Sequence, residues 1–192
     1  MLVRSDLPNT GFINREQLID GGVHAERGAR ASIFASIYNC DNLYLGRHCR
    51  IDDFVVINAG DNIWIGPYVH ISSHCKLQGG MIGIGAGVAI SAGVMIIATT
   101  DDYSGEHLTG PTIPEEYRKS GAAPVHIGDN VIIGVNSVLL PGADIGEGCA
   151  IGANSLVKGK LEPYGIYVGT PVRRIKERSR VCKTLLEKLL QS

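Results

Sequence analysis

Aliphatic residues recur every six positions through much of this chain. The interval is unbroken over one stretch, which carries Ile127, Ile133, Leu139, Ile145, Ile151 and Val157. An amphipathic helix repeats its apolar positions about every 3.6 residues, and a half-buried strand repeats them every second residue. Neither period explains an interval of six. The pattern predicts a solenoid in which each hexapeptide forms one short strand and a corner, and three hexapeptides complete a triangular coil.

The same interval recurs earlier in the chain, at Leu45, Ile51 and Ile57, at Ile65, Ile71 and Leu77, and at Ile84, Ile90 and Ile96. The aliphatic side chains would stack inside the solenoid about 4.8 Å apart, one strand spacing. Glycine and asparagine beside them tolerate corner conformations that other side chains penalise. We therefore predict an all-β, parallel β-helix over residues 23–171.

Three segments depart from the repeat. The polar, turn-rich stretch 99–124 interrupts it and predicts one long loop insertion, which in a rigid solenoid is typical of a functional site. Residues 1–22 precede the repeat and include a predicted short helix over 13–20, capped by Asn14. Residues 172–192 follow the repeat and predict a C-terminal helix covering the open end of the last coil.

Composition narrows the class of protein. The 192 residues are 44% hydrophobic and 19% charged, and the formal net charge of −1 gives no bulk attraction to nucleic acid or anionic membranes. No apolar run approaches the ~20 residues of a membrane span, and the amino end lacks a signal-peptide pattern. The five cysteines show no CxxC spacing. We expect reduced thiols in a cytoplasmic protein that bind no metal.

The repeats, the single insertion and the tail YGIYVGTPVRRIKER resemble the left-handed β-helix, hexapeptide-repeat sugar acetyltransferases, from about Leu45 to Arg178. The loop sequence DDYSG at 101–105 resembles one subgroup of that family. The resemblance implies a left-handed solenoid and a homotrimer. It also implies acetyl-CoA as acyl donor, bound in a groove between neighbouring solenoids. The acceptor would be a hydroxyl or amino group of a sugar or nucleotide sugar, by family habit a precursor of a surface polysaccharide.

The resemblance also assigns cofactor-binding positions. The amides of Val135 and Ala153 match positions that face the pantetheine arm and thioester. Arg173 and Lys176 match positions that meet CoA phosphates. Where the family often carries one lysine, this chain has Gly159 between two.

Either of those two lysines, Lys158 or Lys160, could therefore reach the cofactor. An alternative reading makes the basic tail only a solvated surface; its members are Arg173, Arg174, Lys176, Arg178 and Arg180.

The catalytic base is the main departure from the family. Acyl transfer to a hydroxyl needs a proton acceptor, and imidazole suits that role. Where many members carry a histidine, this chain has Asp101. The resemblance favours His70 as base, oriented by Asp101 or Asp102 of a neighbouring subunit, with His74 as the second candidate. In the loop, we expect Asp101, Tyr103 and His107 to contact the substrate.

Two other functions remain open on the residues alone. The same fold hosts zinc-dependent γ-class carbonic anhydrases, and His70 with His74 and His48 invites that interpretation. Their spacing of four differs from the five of those enzymes, so we expect no metal. A non-catalytic structural solenoid is the other alternative, which failure to bind CoA would favour.

Overall fold

The computed structural model describes residues 11–192. The first ten residues of the predicted segment 1–22 lie outside that range. The regular structure of the described chain consists mainly of strands of two to six residues, joined by turns. The elements, in chain order, are β1 (Phe12–Ile13), α1 (Arg15–Asp20), β2 (His24–Ala25), β3 (Arg30–Ser32), β4 (Ser36–Tyr38), β5 (Leu43–Leu45), β6 (Arg50–Ile51), β7 (Val56–Asn58), β8 (Asn62–Ile65), β9 (His70–Ile71), β10 (Lys76–Gln78), β11 (Met81–Ile84), β12 (Ala89–Ile90), β13 (Met95–Ile97), β14 (Thr99–Asp101), β15 (Ser120–Ala122), β16 (Val125–Ile127), β17 (Ile132–Ile133), β18 (Val138–Leu139), β19 (Asp144–Ile145), β20 (Ala150–Ile151), β21 (Leu156–Val157), β22 (Lys160–Leu161), β23 (Gly165–Gly169), β24 (Val172–Glu177) and α2 (Val181–Gln191).

Apart from β14 and β15, which pair only with each other, these strands form three sheets, which we call A, B and C. Sheet A has the order β1-β3-β6-β9-β12-β17-β20-β23-β24, sheet B the order β2-β5-β8-β11-β16-β19-β22, and sheet C the order β4-β7-β10-β13-β18-β21. Along the chain each coil contributes a strand to sheet B, then A, then C, and about seven coils are stacked. The predicted solenoid is confirmed, and its pairing is parallel except at the two ends of sheet A.

The core is the stack of aliphatic residues that the interval of six predicted. In sheet A, Ile51 pairs with Ile71, Ile71 with Ile90, and Ile133 with Ile151. All of them are buried. Cys49, Cys75 and Cys149 fill buried corner positions, where each thiol donates to a main-chain carbonyl of the next coil. All five cysteines are free thiols.

The corners bring successive coils close together. At Gly66 an added Cβ would lie 2.7 Å from the carbonyl carbon of Gly85, which leaves no room for a side chain. Corner residues beyond glycine and asparagine also adopt left-handed conformations, with φ of 58° at His48 and 62° at His74. The corner conformation is therefore set by the coil, and several residue types accept it.

The flanking helices differ in how well the sequence predicted them. Asn14 caps α1 in a capping box with Gln17, as the cap residue suggested, and Leu18 is buried. The expected helix over 172–192 was wrong in its start, because 172–177 forms β24, antiparallel to β23. Residues of β24 lack an apolar stripe, so only pairing with the sheet edge specifies this strand.

The helix α2 also does not cover the last coil. It runs along the corner between sheets B and A, with Lys183 3.5 Å from Glu147 at one end and Arg47 donating to the Leu190 carbonyl at the other. Leu186 packs over Gly87 between them. The open edge at the end of sheet A is instead covered by β24. Neither helix in residues 11–192 is long and apolar enough to cross a membrane.

The long insertion leaves the solenoid between β13 and β16, at the corner between sheets C and B. Its two ends pair as β14 and β15, with Thr99 opposite Ala122 and Asp101 opposite Ser120. In a triangular prism this corner lies opposite sheet A. The loop of one chain therefore projects away from its own sheet A.

Candidate active site

A histidine–aspartate pair lies on the outer face of sheet A. His70 Nε2 is 2.8 Å from Asp52 Oδ2, and Arg50 Nε is 2.6 Å from Asp52 Oδ1. The register explains the cluster, since Arg50 of β6 pairs with His70 of β9. The Asp52 side chain is 17% exposed and that of His70 is 46% exposed, so the pair sits at the surface with its carboxylate shielded.

The environment of Asp52 favours its ionised form. Burial raises the pKa of this carboxyl, but hydrogen bonds from His70 and Arg50 and the charges of both outweigh burial, so the pKa lies below its ordinary value. An ionised carboxylate can only accept hydrogen bonds, so in its bond to Asp52 the Nε2 atom of His70 carries the hydrogen. Nδ1 is then the ring nitrogen with a free lone pair.

Asp52 is the residue that sequence reasoning missed. The spacing of coils varies here, with 20 residues from Arg50 to His70 and 19 from His70 to Ala89. A shift of one residue turns a side chain to the other face of a strand. The equivalent aliphatic positions of the repeat already align Arg50 with His70, but the bond between Asp52 and His70 is a side-chain contact that the repeat does not show.

The second candidate base, His74, occupies a corner. Its backbone is left-handed and its ring lies 5.1 Å from that of Phe54, in a stack that continues to Phe34. These contacts give His74 a structural role.

The loop holds a second histidine–aspartate pair. Asp102 accepts hydrogen bonds from the amides of Ser104 and His107 and from His107 Nδ1, at 2.8 to 3.0 Å. Hydrogen bonds from Ser104, together with those from His107, hold the pKa of the Asp102 carboxyl well below its usual range. Asp102 therefore organises the loop.

The other two candidate loop residues are more available. The Asp101 carboxylate accepts one hydrogen bond within the described chain, from the Gly110 amide at 3.2 Å, and Tyr103 is 93% exposed. Because the loop leaves the corner opposite sheet A, the structure does not bring either residue to His70 of the same chain.

The candidate donor positions lie in the last coils. Val135 follows β17 and Ala153 follows β20, so both sit at the corner between sheets A and C, one coil apart. Asn154 donates to the Val135 carbonyl at 2.9 Å, whereas the amides of Val135 and Ala153 have no hydrogen-bond partner within residues 11–192. Two unsatisfied amides, aligned along one corner, can donate to a carbonyl-rich ligand.

The basic tail divides into structural and unpaired residues. Arg178 Nη1 donates to the carbonyls of Asn130, Gly148 and Cys149 at 2.8 to 3.0 Å, which fastens the tail to the corner.

Its neighbours in the tail are engaged differently. Arg174 pairs with Glu177 at 2.7 Å, and Arg180 lies over the Tyr164 ring. Lys160 pairs with Glu162 at 3.4 Å. Within the described chain, Lys158, Arg173 and Lys176 have no carboxylate partner.

The structure does not assemble the histidines of the metal alternative in one chain. His48 stacks on Tyr68 at the corner between sheets B and A, His74 lies at the corner between A and C, and His70 is on the sheet face. No group of three histidine, cysteine or acidic residues among positions 11–192 is arranged to hold a metal ion.

Comparison with known proteins identifies the family. The family model of the bacterial transferase hexapeptide (six repeats) matches residues 124–159. The chain is 42% identical over 155 residues to dTDP-4-amino-4,6-dideoxy-D-glucose acyltransferase of Escherichia coli, covering 80% of this chain and 79% of that enzyme. The chain belongs to the hexapeptide-repeat sugar acyltransferases. The predicted family, the left-handed β-helix fold class and the enzyme class are confirmed.

Two further members show what sugar acyltransferases of this fold bind or modify. Galactoside O-acetyltransferase of Escherichia coli (strain K12) is 33% identical over 135 residues, 62% of this chain and 63% of that enzyme. The crystal structure of AntD, an N-acyltransferase from Bacillus cereus in complex with dTDP and 3-hydroxybutyryl-CoA, is 38% identical with a TM-score of 0.86. That match covers 94% of this chain and 97% of AntD. AntD, an acyltransferase of the same fold, thus binds an acyl-CoA together with dTDP.

Proposed function

We propose that this sugar acyltransferase moves an acetyl group from acetyl-CoA to the amine of a nucleotide-linked amino sugar, with His70 as base. The observation that carries the proposal is the pair of His70 and Asp52 on an otherwise exposed sheet face. The choice of an amine over a hydroxyl acceptor rests on the relatives, since the dTDP-4-amino-sugar acyltransferase is 42% identical and the galactoside O-acetyltransferase 33%.

His70 can handle the proton of the reaction. The amine nitrogen attacks the thioester carbonyl, the C–N bond forms and the C–S bond breaks. Nδ1 of His70 accepts the proton that the nitrogen loses and returns a proton to the leaving CoA sulfur. Asp52 holds the ring in the required tautomer and stabilises the imidazolium formed in between.

The donor would lie along the corner between sheets A and C. The free amides of Val135 and Ala153 would bind the pantetheine arm and thioester. Lys158, Arg173 and Lys176 near the end of the solenoid would meet the CoA phosphates, which suits their lack of carboxylate partners among residues 11–192. The paired Lys160 is the weaker candidate of the two lysines.

We propose that the site is completed by a second copy in a homotrimer. The loop projects away from its own sheet A, so a neighbour's loop is the one that can face His70. Asp101 would then meet the acceptor or His70, since Asp102 is already engaged by Ser104 and His107. Tyr103 and His107 would line the acceptor side.

The cellular setting is a proposal of the same kind. Free thiols and the use of acyl-CoA fit a cytoplasmic enzyme. The acylated sugar would serve as a precursor of a surface polysaccharide.

The histidine role is tested by His70→Asn beside His74→Asn. Each change removes one imidazole, and asparagine tolerates the left-handed corner of His74. With an amine acceptor, we expect His70→Asn to lower kcat about 10²- to 10⁴-fold, the usual contribution of a positioned base. The KM for acetyl-CoA should stay unchanged.

His74→Asn should remain close to wild type in the same assay of CoA release. Full activity of His70→Asn would remove His70 from catalysis and leave the amine to react unaided. A loss of activity seen only in His74→Asn would identify His74, rather than His70, as the base.

A further inference from the structure

Two arginines lie directly below His70 on sheet A. Arg30 of β3 pairs with Arg50 of β6, and Arg50 pairs with His70 of β9. The three residues therefore stand in one row along the solenoid axis and face the same way. Adjacent strands are about 4.8 Å apart, so Arg30 is about 10 Å from His70 along the row.

The two guanidinium groups converge on one aromatic ring. The Arg30 guanidinium carbon is 5.4 Å from the Phe12 ring centroid, and that of Arg50 is 5.1 Å from it. Arg50 uses Nε to bind Asp52, which leaves its terminal nitrogens available. Arg30 has no carboxylate partner within the described chain. Two cations held this close, of which only Arg50 has a carboxylate partner among residues 11–192, favour an anion.

A cavity continues the basic row at the foot of the solenoid. Its volume is about 520 Å³ and its lining residues are Asn14, Arg15, Glu16, Arg27, Gly28, Ala29 and Arg30. Three of these are arginines, against one glutamate, which lies 3.9 Å from Arg15. Arg27 makes no ion pair among residues 11–192. The cavity therefore has an excess of positive charge beside Arg30.

We propose that Arg30 and Arg50 bind the diphosphate of the acceptor, with the nucleoside directed into the cavity beside Arg27. The proposal rests on the proposed function, because it takes the acceptor to be nucleotide-linked. A sugar ring and its glycosidic phosphate span the distance from the amine at His70 to the two arginines. Guanidinium groups bind phosphate oxygens in pairs, which fixes the orientation of the sugar.

The position along the axis assigns these arginines to the acceptor. Coenzyme A also carries a diphosphate, but its candidate contacts, Val135, Ala153 and Arg173, belong to the fifth to seventh coils. Arg30 and Arg50 belong to the first and second. Donor and acceptor would thus approach His70 of the third coil from opposite ends.

The test is Arg30→Gln, measured with the full-length protein. Arg30 packs on Phe12 and has no ion-pair partner among residues 11–192, so the change removes one charge with little structural loss there. Loss of a charge-assisted bond to phosphate should raise the KM for the nucleotide-linked amino sugar about ten- to a hundredfold. The dissociation constant of dTDP alone, measured by calorimetry, should rise by the same factor. The KM for acetyl-CoA and the kcat should change little.

Arg180→Gln is the matched control, since it removes the same charge over the Tyr164 ring at the other end of the solenoid. It should leave dTDP affinity unchanged. Arg30→Lys, which keeps the charge, should lose less affinity than Arg30→Gln.

The outcomes separate this subsite from the proposed function. If the wild type transfers the acyl group and binds dTDP, but Arg30→Gln binds dTDP equally well, the subsite is wrong and the function stands. A rise confined to the KM for acetyl-CoA would show that the arginines bind the donor, and it would overturn the proposal. Absence of transfer to any sugar would contradict the function, while the dTDP titration would still decide the subsite. A wild type that transfers to sugars but does not bind dTDP would overturn the subsite.

Discussion

At the scale of residues, the candidate site depends on contacts between coils. The family resemblance pointed to His70, because the subgroup whose loop resembles DDYSG tends to carry a histidine at this position. The interval of six aligned Arg50 with His70 through the aliphatic residues that follow them, but it did not show that Asp52 bonds to His70. Nor did it show that Arg30, ahead of the regular repeat, continues the row. Coil lengths also fall from 20 to 19 and then 18 residues along the solenoid. These small differences in coil length decide which residues of adjacent coils lie next to each other.

The lowered pKa of Asp52 leads to a prediction for stability. A carboxyl whose pKa is lower in the folded state stabilises it above its unfolded pKa of about 3.9, and this contribution disappears as pH falls through the folded value. Burial alone would raise the pKa, and the bonds from His70 and Arg50 reverse that effect. Asp52→Asn should therefore lower the free energy of unfolding at neutral pH, and the deficit should shrink below about pH 4.

Denaturant unfolding at a series of pH values measures this deficit. Asp144→Asn is the control, because Asp144 and its partner His126 are 52% and 66% exposed and solvent screens their interaction. A deficit of Asp52→Asn that is constant from pH 7 to well below pH 4 would contradict the proposed role of the ionised carboxylate.

At the scale of elements, the interval of six predicted the strands and corners well, because each coil buries its aliphatic residues in the same way. It failed at 172–177, where the strand depends on the edge of sheet A rather than on its own pattern. It also misplaced α2. A leucine stripe shows that a helix packs on something, but the stripe cannot tell the end of a solenoid from its corner.

The close approach of the coils leads to a second stability prediction. A Cβ at Gly66 would meet the Gly85 backbone at 2.7 Å, whereas one at Gly83 would find its nearest contact at 3.8 Å, in the His126 ring. Gly66→Ala should therefore destabilise the solenoid by about 1–3 kcal/mol, as overpacking does in other cores. Gly83→Ala should be nearly neutral. Thermal unfolding compares the two variants, and equal stability would refute the tight stacking of these corners.

At the scale of the whole molecule, our proposals order the reaction along the solenoid axis. The proposed nucleotide-binding arginines lie in the first two coils, His70 in the third, and the proposed donor positions in the fifth to seventh. The fold and the enzyme class were predictable from the sequence, because the repeat is periodic and the motifs are specific to the family. The completed site was not, since the loop and sheet A of one chain face different ways, and we propose that a second copy supplies the residues that face His70.

The central claim is acyl transfer to the amine of a nucleotide-linked sugar. Incubation of the wild-type protein with carbonyl-labelled acetyl-CoA and dTDP-4-amino-4,6-dideoxyglucose, followed by mass spectrometry and NMR of the product, tests it most directly. We predict stoichiometric release of CoA and a single acetyl group bound to the sugar nitrogen as an amide. An ester on a sugar hydroxyl, or no labelled product at all, would contradict the claim.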